Sequence, residues 1–387
     1  MKICVYAIAK NEEKFVEPRA KGIYVLIIGE SESRDHMHLY GYDRDNTPWM
    51  DSMNEADFVV VLDTGSTDNT AKILKEYGAI VKTEIISPWR FDVARNKSLD
   101  LIPSEVDICV CTDLDEVLES GWRKKLESQW TSETKRGQYR YTWSFNDDGS
   151  EGTVFWVDKI HSRHDFKWVN PVHEILSPKK EESYLTTILY GIQLNHFPDH
   201  TKPRSQYLPL LELSIEEDPT NDRNMHYLGR EYMYYGKWNQ CIDTLKKHLN
   251  LPKSTWIDER CASMRFIANA YYNLQNHVEC EKWLLRAMAE APHLREPYID
   301  LAMLYYHQEN WYGVLFAAEK ALGITTRPMT YINEPRAWGF TPYDLASLAC
   351  TNIGLYEKAY DYVNQAIKYA PHDKRLECNR QYIKEHL

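Results

Sequence analysis

Asp113-Leu114-Asp115-Glu116 follows directly on the apolar run Val106-Asp107-Ile108-Cys109-Val110-Cys111. Two carboxylates spaced i, i+2 at the end of a β-strand project toward one face. Hard divalent cations take oxygen ligands and commonly reach substrate phosphates through one or two carboxylates. The chemistry this spacing offers is a metal–diphosphate site. Asp-x-Asp turns are also ordinary solvated loop ends, so the weight of the motif comes from its companions. One is Asp63-Thr64-Gly65-Ser66-Thr67-Asp68-Asn69-Thr70 behind Phe58 to Leu62; the other is Asn11-Glu12-Glu13 behind Ile3 to Ala9. In the octet Gly65 permits a tight turn, and Ser, Thr or Asp can cap a following helix. To that plain strand–turn–helix role the functional reading adds Asp63 as an acceptor for a nucleotide base or ribose.

Such residues converge only where strands set them side by side. Short β-rich runs at 2–9, 58–63, 80–84, 106–112 and 139–145 alternate with helical patterns at 70–77, 93–101 and 121–129. That alternation predicts an α/β domain with a mostly parallel sheet covered on both faces. Ligands bind at the carboxyl ends of strands in such sheets, where Asn11, Asp63 and Asp113 all stand. Beyond about residue 205 the pattern turns helical and repetitive. Ala268 and Ala302 recur at 34 residues, the tetratricopeptide period. The neighbouring intervals are longer and need small insertions, at residues 253–258 and 327–341. Helix pairs of this kind stack into a superhelix with a concave groove, a platform for a protein partner or for self-association. The expected domains are residues 1–205 and 206–387.

A chain of 387 residues favours two domains. Its formal charge of −11 argues against nucleic acid as the main partner. The eight cysteines form no Cys-x-x-Cys pair and no zinc-like spacing, which suits a reduced, cytoplasmic setting. The apolar run from Ile3 to Ala9 is cut short by Lys10-Asn11-Glu12-Glu13, with no cleavage pattern after it. Nothing approaches the ~20 apolar residues of a spanning helix, so no transmembrane segment is expected. The 27 Tyr and 12 Trp suit either carbohydrate stacking or aromatic-rich helical repeats, and the repeats account for most of them more simply.

Taken together, Asn11-Glu12-Glu13, the Asp63–Thr70 octet, Phe91-Asp92-Val93-Ala94-Arg95-Asn96 and Thr112-Asp113-Leu114-Asp115-Glu116 resemble a family 2 glycosyltransferase. Trp168-Val169-Asn170-Pro171-Val172-His173-Glu174 looks like a segment of one bacterial subgroup, which His196-Phe197-Pro198-Asp199-His200-Thr201-Lys202 and the repeat tail also fit. The resemblance implies a GT-A fold, a nucleotide-sugar donor (a UDP-sugar first), inversion, and a divalent metal, Mn²⁺ or Mg²⁺. The acceptor would be a glycan, peptide or protein. Carried over by residue, Asp63 would contact the nucleoside and Asn11 and Glu13 would line its pocket. Arg95 would position the donor, Asp113 would face the ribose or sugar, and Asp115 and His173 would hold the metal. An inverting transfer also needs a general base for the acceptor hydroxyl. Candidates are Glu174, Glu116 and Asp158, with Glu174 favoured and Glu116 an equal fit as metal support. Trp168 is read either as a sugar-stacking ring or as core. A rival reading is a tetratricopeptide scaffold whose transferase half no longer turns over.

Residues 18–48 stand outside that pattern. Within them Ile23-Tyr24-Val25-Leu26-Ile27-Ile28-Gly29-Glu30-Ser31 looks like the strand and nucleophile turn of a phosphoethanolamine transferase. In that family Glu30 would bind zinc and Ser31 would stand at the nucleophile. No Asp-His-Gly-type zinc motif follows, and a nucleophile without its metal cluster does nothing. The segment is read as an atypical, passive insertion.

Overall fold

The computed structural model describes residues 1–9, 55–67, 69–76, 78–113, 115–146, 148–180, 183–197 and 205–387. Asn11, Glu13 and the whole of 18–48 lie outside these residues. The chain divides into two compact units, Met1–Ser214 and Ile215–Leu387.

The first unit begins with β1 (Ile3–Ala9), β2 (Phe58–Asp63), α1 (Thr70–Glu76), β3 (Ile80–Thr83), α2 (Phe91–Asp100), β4 (Ile108–Cys111), β5 (Glu116–Leu118) and α3 (Trp122–Gln129). It continues through β6 (Thr134–Thr142), β7 (Val154–Ser162), β8 (Phe166–Val169), β9 (Ile175–Pro178) and β10 (Leu185–His196). Eight strands form one sheet in the order β3-β2-β1-β4-β7-β6-β10-β5, and β8 pairs with β9 apart from it. Strands with a period of two bury both faces when both are covered. Ile3, Val5, Val59, Val61, Ile108 and Val110 accordingly pack on one face, with Leu74 of α1 and Trp122 and Leu126 of α3. Cys4, Tyr6, Val60, Cys109 and Cys111 fill the other, with Leu99 of α2 and Phe166, Trp168 and Leu176 of the β8–β9 hairpin. Three cysteines, Cys4, Cys109 and Cys111, are buried in this way, and four more are buried among the helices of the second unit.

The sheet is mixed but mostly parallel, as expected. β3, β2, β1 and β4 run parallel, and so do β6 and β10; β7 is antiparallel to both β4 and β6, and β5 is antiparallel to β10. The run read as a strand at 139–145 is the end of the longer β6, which starts at Thr134.

The second unit is an array of helix hairpins. α4 (Tyr207–Glu217) spans the division, and its first residue packs in unit 1 against Phe91 and His173. Then come α5 (Asp222–Tyr234), α6 (Trp238–Asn250), α7 (Ile257–Asn273), α8 (His277–Glu290), α9 (Glu296–His307) and α10 (Trp311–Leu322). The chain ends with α11 (Pro335–Trp338), α12 (Thr341–Asn352), α13 (Tyr356–Tyr369) and α14 (Lys374–Lys384). α5–α6, α7–α8, α9–α10 and α12–α13 are packed hairpins of tetratricopeptide type. Each turns at a left-handed residue: Gly236, Gln275, Glu309 and Gly354, with φ of 66°, 60°, 55° and 76°. Asn276 and Asn310 follow two of these and cap the next helix by accepting from Glu279 N and Gly313 N. Gly229 allows α5 and α6 to approach, since a Cβ there would stand 2.3 Å from a Leu245 methyl carbon. Left-handed backbone costs a side-chain-bearing residue about 1 kcal/mol relative to glycine. Gln275→Gly and Glu309→Gly are each expected to stabilise the array by up to about that amount, read as a raised urea midpoint.

Candidate functional site

The order β3-β2-β1-β4 leaves its topological switch between β1 and β4, where open α/β sheets bind ligands beyond the strand ends. Cys111, the last residue of β4, stands opposite Tyr6 of β1, so the turn Asp113–Glu116 emerges at that switch. The turn is closed from both sides. Glu116 N donates to Asp113 O at 2.9 Å, and Asp113 N donates to Glu116 Oε2 at 2.7 Å. Glu116 is 3% exposed, and its Oε1 also accepts from Tyr141 OH (2.6 Å) and Lys159 Nζ (2.7 Å). It is therefore a buried support that fixes the turn.

Asp113 stands between two cations. Arg95 Nη2 lies 2.6 Å from Oδ1 and Lys159 Nζ lies 3.1 Å from Oδ2. Burial alone would raise the Asp113 pKa, but the charges of Arg95 and Lys159 outweigh it and hold the carboxyl well below its usual range. Lys159 is raised above its ordinary value: burial opposes its charge, and Asp113 and Glu116 prevail. A carboxyl depressed in the folded state contributes stability above its unfolded pKa of about 3.9 and loses it as pH falls through the folded value. Unfolding free energy is expected to fall on acidification below about pH 4, and Asp113→Asn to flatten that slope in urea titrations.

Arg95 joins two motifs that sequence keeps far apart. It sits on α2, is 4% exposed, and donates from Nε to Glu174 Oε1 at 2.9 Å while its guanidinium lies 5.5 Å from the Trp168 ring. Next to it, Asn96 Nδ2 donates to Trp168 O (2.8 Å) and Trp168 N donates to Asn96 Oδ1 (2.9 Å). Phe91 N donates to Pro171 O at 3.0 Å. The segment 91–96 is thus the clamp that fastens the 168–174 segment to the carboxylate turn. Trp168 itself is 4% exposed and donates from Nε1 to Tyr6 OH at 2.7 Å, so it is core and offers no stacking face.

Asp115 meets a partner that spacing did not reveal. Its Oδ2 lies 3.4 Å from His196 Nε2. His196 ends β10 opposite Glu116 of β5, and Phe197 N donates to Asp115 O at 2.7 Å. The Nδ1 of His196 faces Trp143 O at 2.9 Å. A carbonyl only accepts, so Nδ1 carries the proton and the neutral ring turns its Nε2 lone pair toward Asp115. A proton on Nε2 makes the contact an ion pair with Asp115, and a divalent ion could stand in the proton's place. Burial opposes protonation of His196, yet the Asp115 and Glu116 charges raise its pKa above the usual value. Among the described residues no group of three or more His, Cys, Asp or Glu side chains forms a metal cage. The pair fits a divalent ion only as a two-ligand site completed by phosphate oxygens and water, the usual manner for Mg²⁺.

The remaining expected residues fall as follows. Asp63 closes β2, and its Oδ1 accepts from Ser66 N (2.9 Å) and Gly65 N (3.3 Å), an Asx turn leading into α1. His173 lies on the β8–β9 turn with φ of 50°, its ring 5.7 Å from that of Tyr207. Asp158 is paired with Arg136 on the neighbouring strand. Lys159 and His196 went unrecognised as site residues because strand pairing alone brings them to the turn.

No family model matches the chain, and no curated protein matches it. Solved structures similar to part of it include a MamA protein, at 20% identity over 43% of this chain and 83% of that one with a TM-score of 0.34. A thermophilic TPR protein of Thermus thermophilus shares 15% identity over 46% and 89%, with a TM-score of 0.33. Yeast Tom70 shares 14% over 47% and 36%, with a TM-score of 0.37. No helix among the described residues is long and apolar enough to cross a membrane.

Proposed function

We propose that the first unit is a GT-A-like, inverting glycosyltransferase that uses a nucleotide diphosphate sugar, a UDP-sugar first. The observation that carries this reading is the Asp115–His196 pair, 3.4 Å apart, beside the buried Arg95–Asp113–Lys159–Glu116 array at the sheet's switch point. Asp115 and His196 would hold the Mn²⁺ or Mg²⁺, with His196 in the place first expected of His173 because it is the imidazole that meets Asp115. When bound, that ion supplies positive charge for the departing diphosphate. Glu116 and Tyr141 keep the turn rigid, so that Asp115 need not reorganise. Arg95 and Lys159 place fixed positive charge around Asp113, the expected donor contact. Glu174, oriented by Arg95, is the base assigned to the acceptor hydroxyl, which belongs to a glycan, peptide or protein. Asp63, with Asn11 and Glu13, would line the nucleoside side.

A second reading, a repeat scaffold for a protein partner with a silent transferase half, is favoured by the helix-hairpin array of the second unit. Hydrolysis of a panel of nucleotide sugars with Mn²⁺ separates the two. Release of UDP or another nucleoside diphosphate, abolished by chelation, is expected; no release from any donor supports the scaffold.

A further inference from the structure

The second unit holds a half-open cavity of ≈ 280 Å³ between α7 and α9. Arg265, Asn269 and Tyr272 line it from α7 at i, i+4 and i+7, and Asp300, Met303 and His307 line it from α9 at i, i+3 and i+7. Each spacing is one face of a helix. Arg265 and Asp300 are 35 residues apart, as are Tyr272 and His307, whose rings lie 5.9 Å from one another. The cavity is therefore built by equivalent stripes of successive hairpins.

One end is a closed ring of four charges. Arg265 Nε donates to Asp300 Oδ2 at 2.6 Å and its Nη2 to Glu334 Oε1 at 2.7 Å. Arg336 donates to Asp300 Oδ1 and, at 3.2 Å, to Glu334 Oε2. Each carboxylate gives one oxygen to each guanidinium, so the ring carries no net charge. Arg265 is 4% exposed, and its Nη1 has no hydrogen-bond partner among the described residues. Asn269 and His307 add exposed polar groups, while Phe266, Met303 and Leu304 supply an apolar wall.

We propose that this cavity is a carbohydrate subsite for a neutral pyranose, separate from the site at Asp115 and beyond the activity assigned to it. A charged ligand would give up its hydration to a ring whose charges already cancel. A neutral ligand with many hydroxyls meets fixed donors and acceptors on one side, and its apolar ring face meets Tyr272 and the wall on the other. The cavity lies just under the roughly 300–1,000 Å³ of ordinary small-molecule pockets, which suits one ring better than an extended peptide.

The test is saturation-transfer NMR on the full chain, with EDTA and without nucleotide, using free glucose, galactose and N-acetylglucosamine against glucuronate and glucosamine. Transfer to at least one neutral sugar is expected, with weaker transfer to the charged pair. Asn269→Ala and Tyr272→Ala are each expected to weaken binding about tenfold; Asn269→Ala, at an exposed position, is expected to do so with an unchanged unfolding temperature. The proposal is overturned if no neutral sugar receives transfer, if transfer survives both substitutions, or if a charged sugar or a short peptide occupies the cavity more tightly. Asp115→Asn should leave the signal intact, so failure here and failure of the transferase reading are separable.

Discussion

Arg95→Ala is expected to destabilise the first unit by about 3–5 kcal/mol, the cost of removing one partner from a buried ion pair. Arg95 is 4% exposed, while Asp113 and Glu174 are also shielded and would be left as neighbouring carboxylates without their shared cation. The clamp between α2 and the 168–174 segment would then rest on Asn96 and the Phe91 amide. For a unit of this size the unfolding temperature should fall on the order of 10 °C. Arg95→Lys keeps the charge but not the fork that reaches both carboxylates, so an intermediate loss is expected. A change below about 1 kcal/mol in Arg95→Ala would show that the ion pairs are incidental.

Asp115→Asn should remove at least about 10²-fold in turnover, since several kcal/mol of transition-state charge stabilisation depend on the ion. The amide keeps the shape of the side chain but takes away the charge that faces His196 Nε2. His196→Gln should produce a loss of the same kind, because it removes the other donor. If either variant keeps full activity, the ion is held elsewhere and the role given to the pair fails.

The strands bearing the motifs were legible because burial on both faces writes long apolar runs: Phe58–Asp63 needs no partner to be recognised. The repeat was legible through its 34-residue spacing, which the structure explains by the turns at Gln275 and Glu309. What stayed hidden is non-local. β7 carries no motif, the segment that begins at His196 was matched without a role for that histidine, and only register sets Lys159 beside Asp113 and His196 beside Asp115. Trp168 looked equally suited to sugar or core, and its Nε1 bond to Tyr6 decides for core. The two antiparallel strands, β7 and β5, were equally invisible, since strand direction depends on connections rather than on composition. The motifs at 91–96 and 168–174 read as separate signals, yet they are the two sides of one clamp.

The most direct measurement is the unfolding temperature with Mn²⁺ and UDP or GDP together, compared with each alone, in the wild type and in Asp115→Asn. A ligand at a hundred times its dissociation constant stabilises by about 2.7 kcal/mol. The expected result is a clear rise with metal and nucleotide together in the wild type and none in Asp115→Asn. No rise with either nucleotide, or an equal rise in the variant, would contradict the assignment of a metal-assisted nucleotide-sugar site.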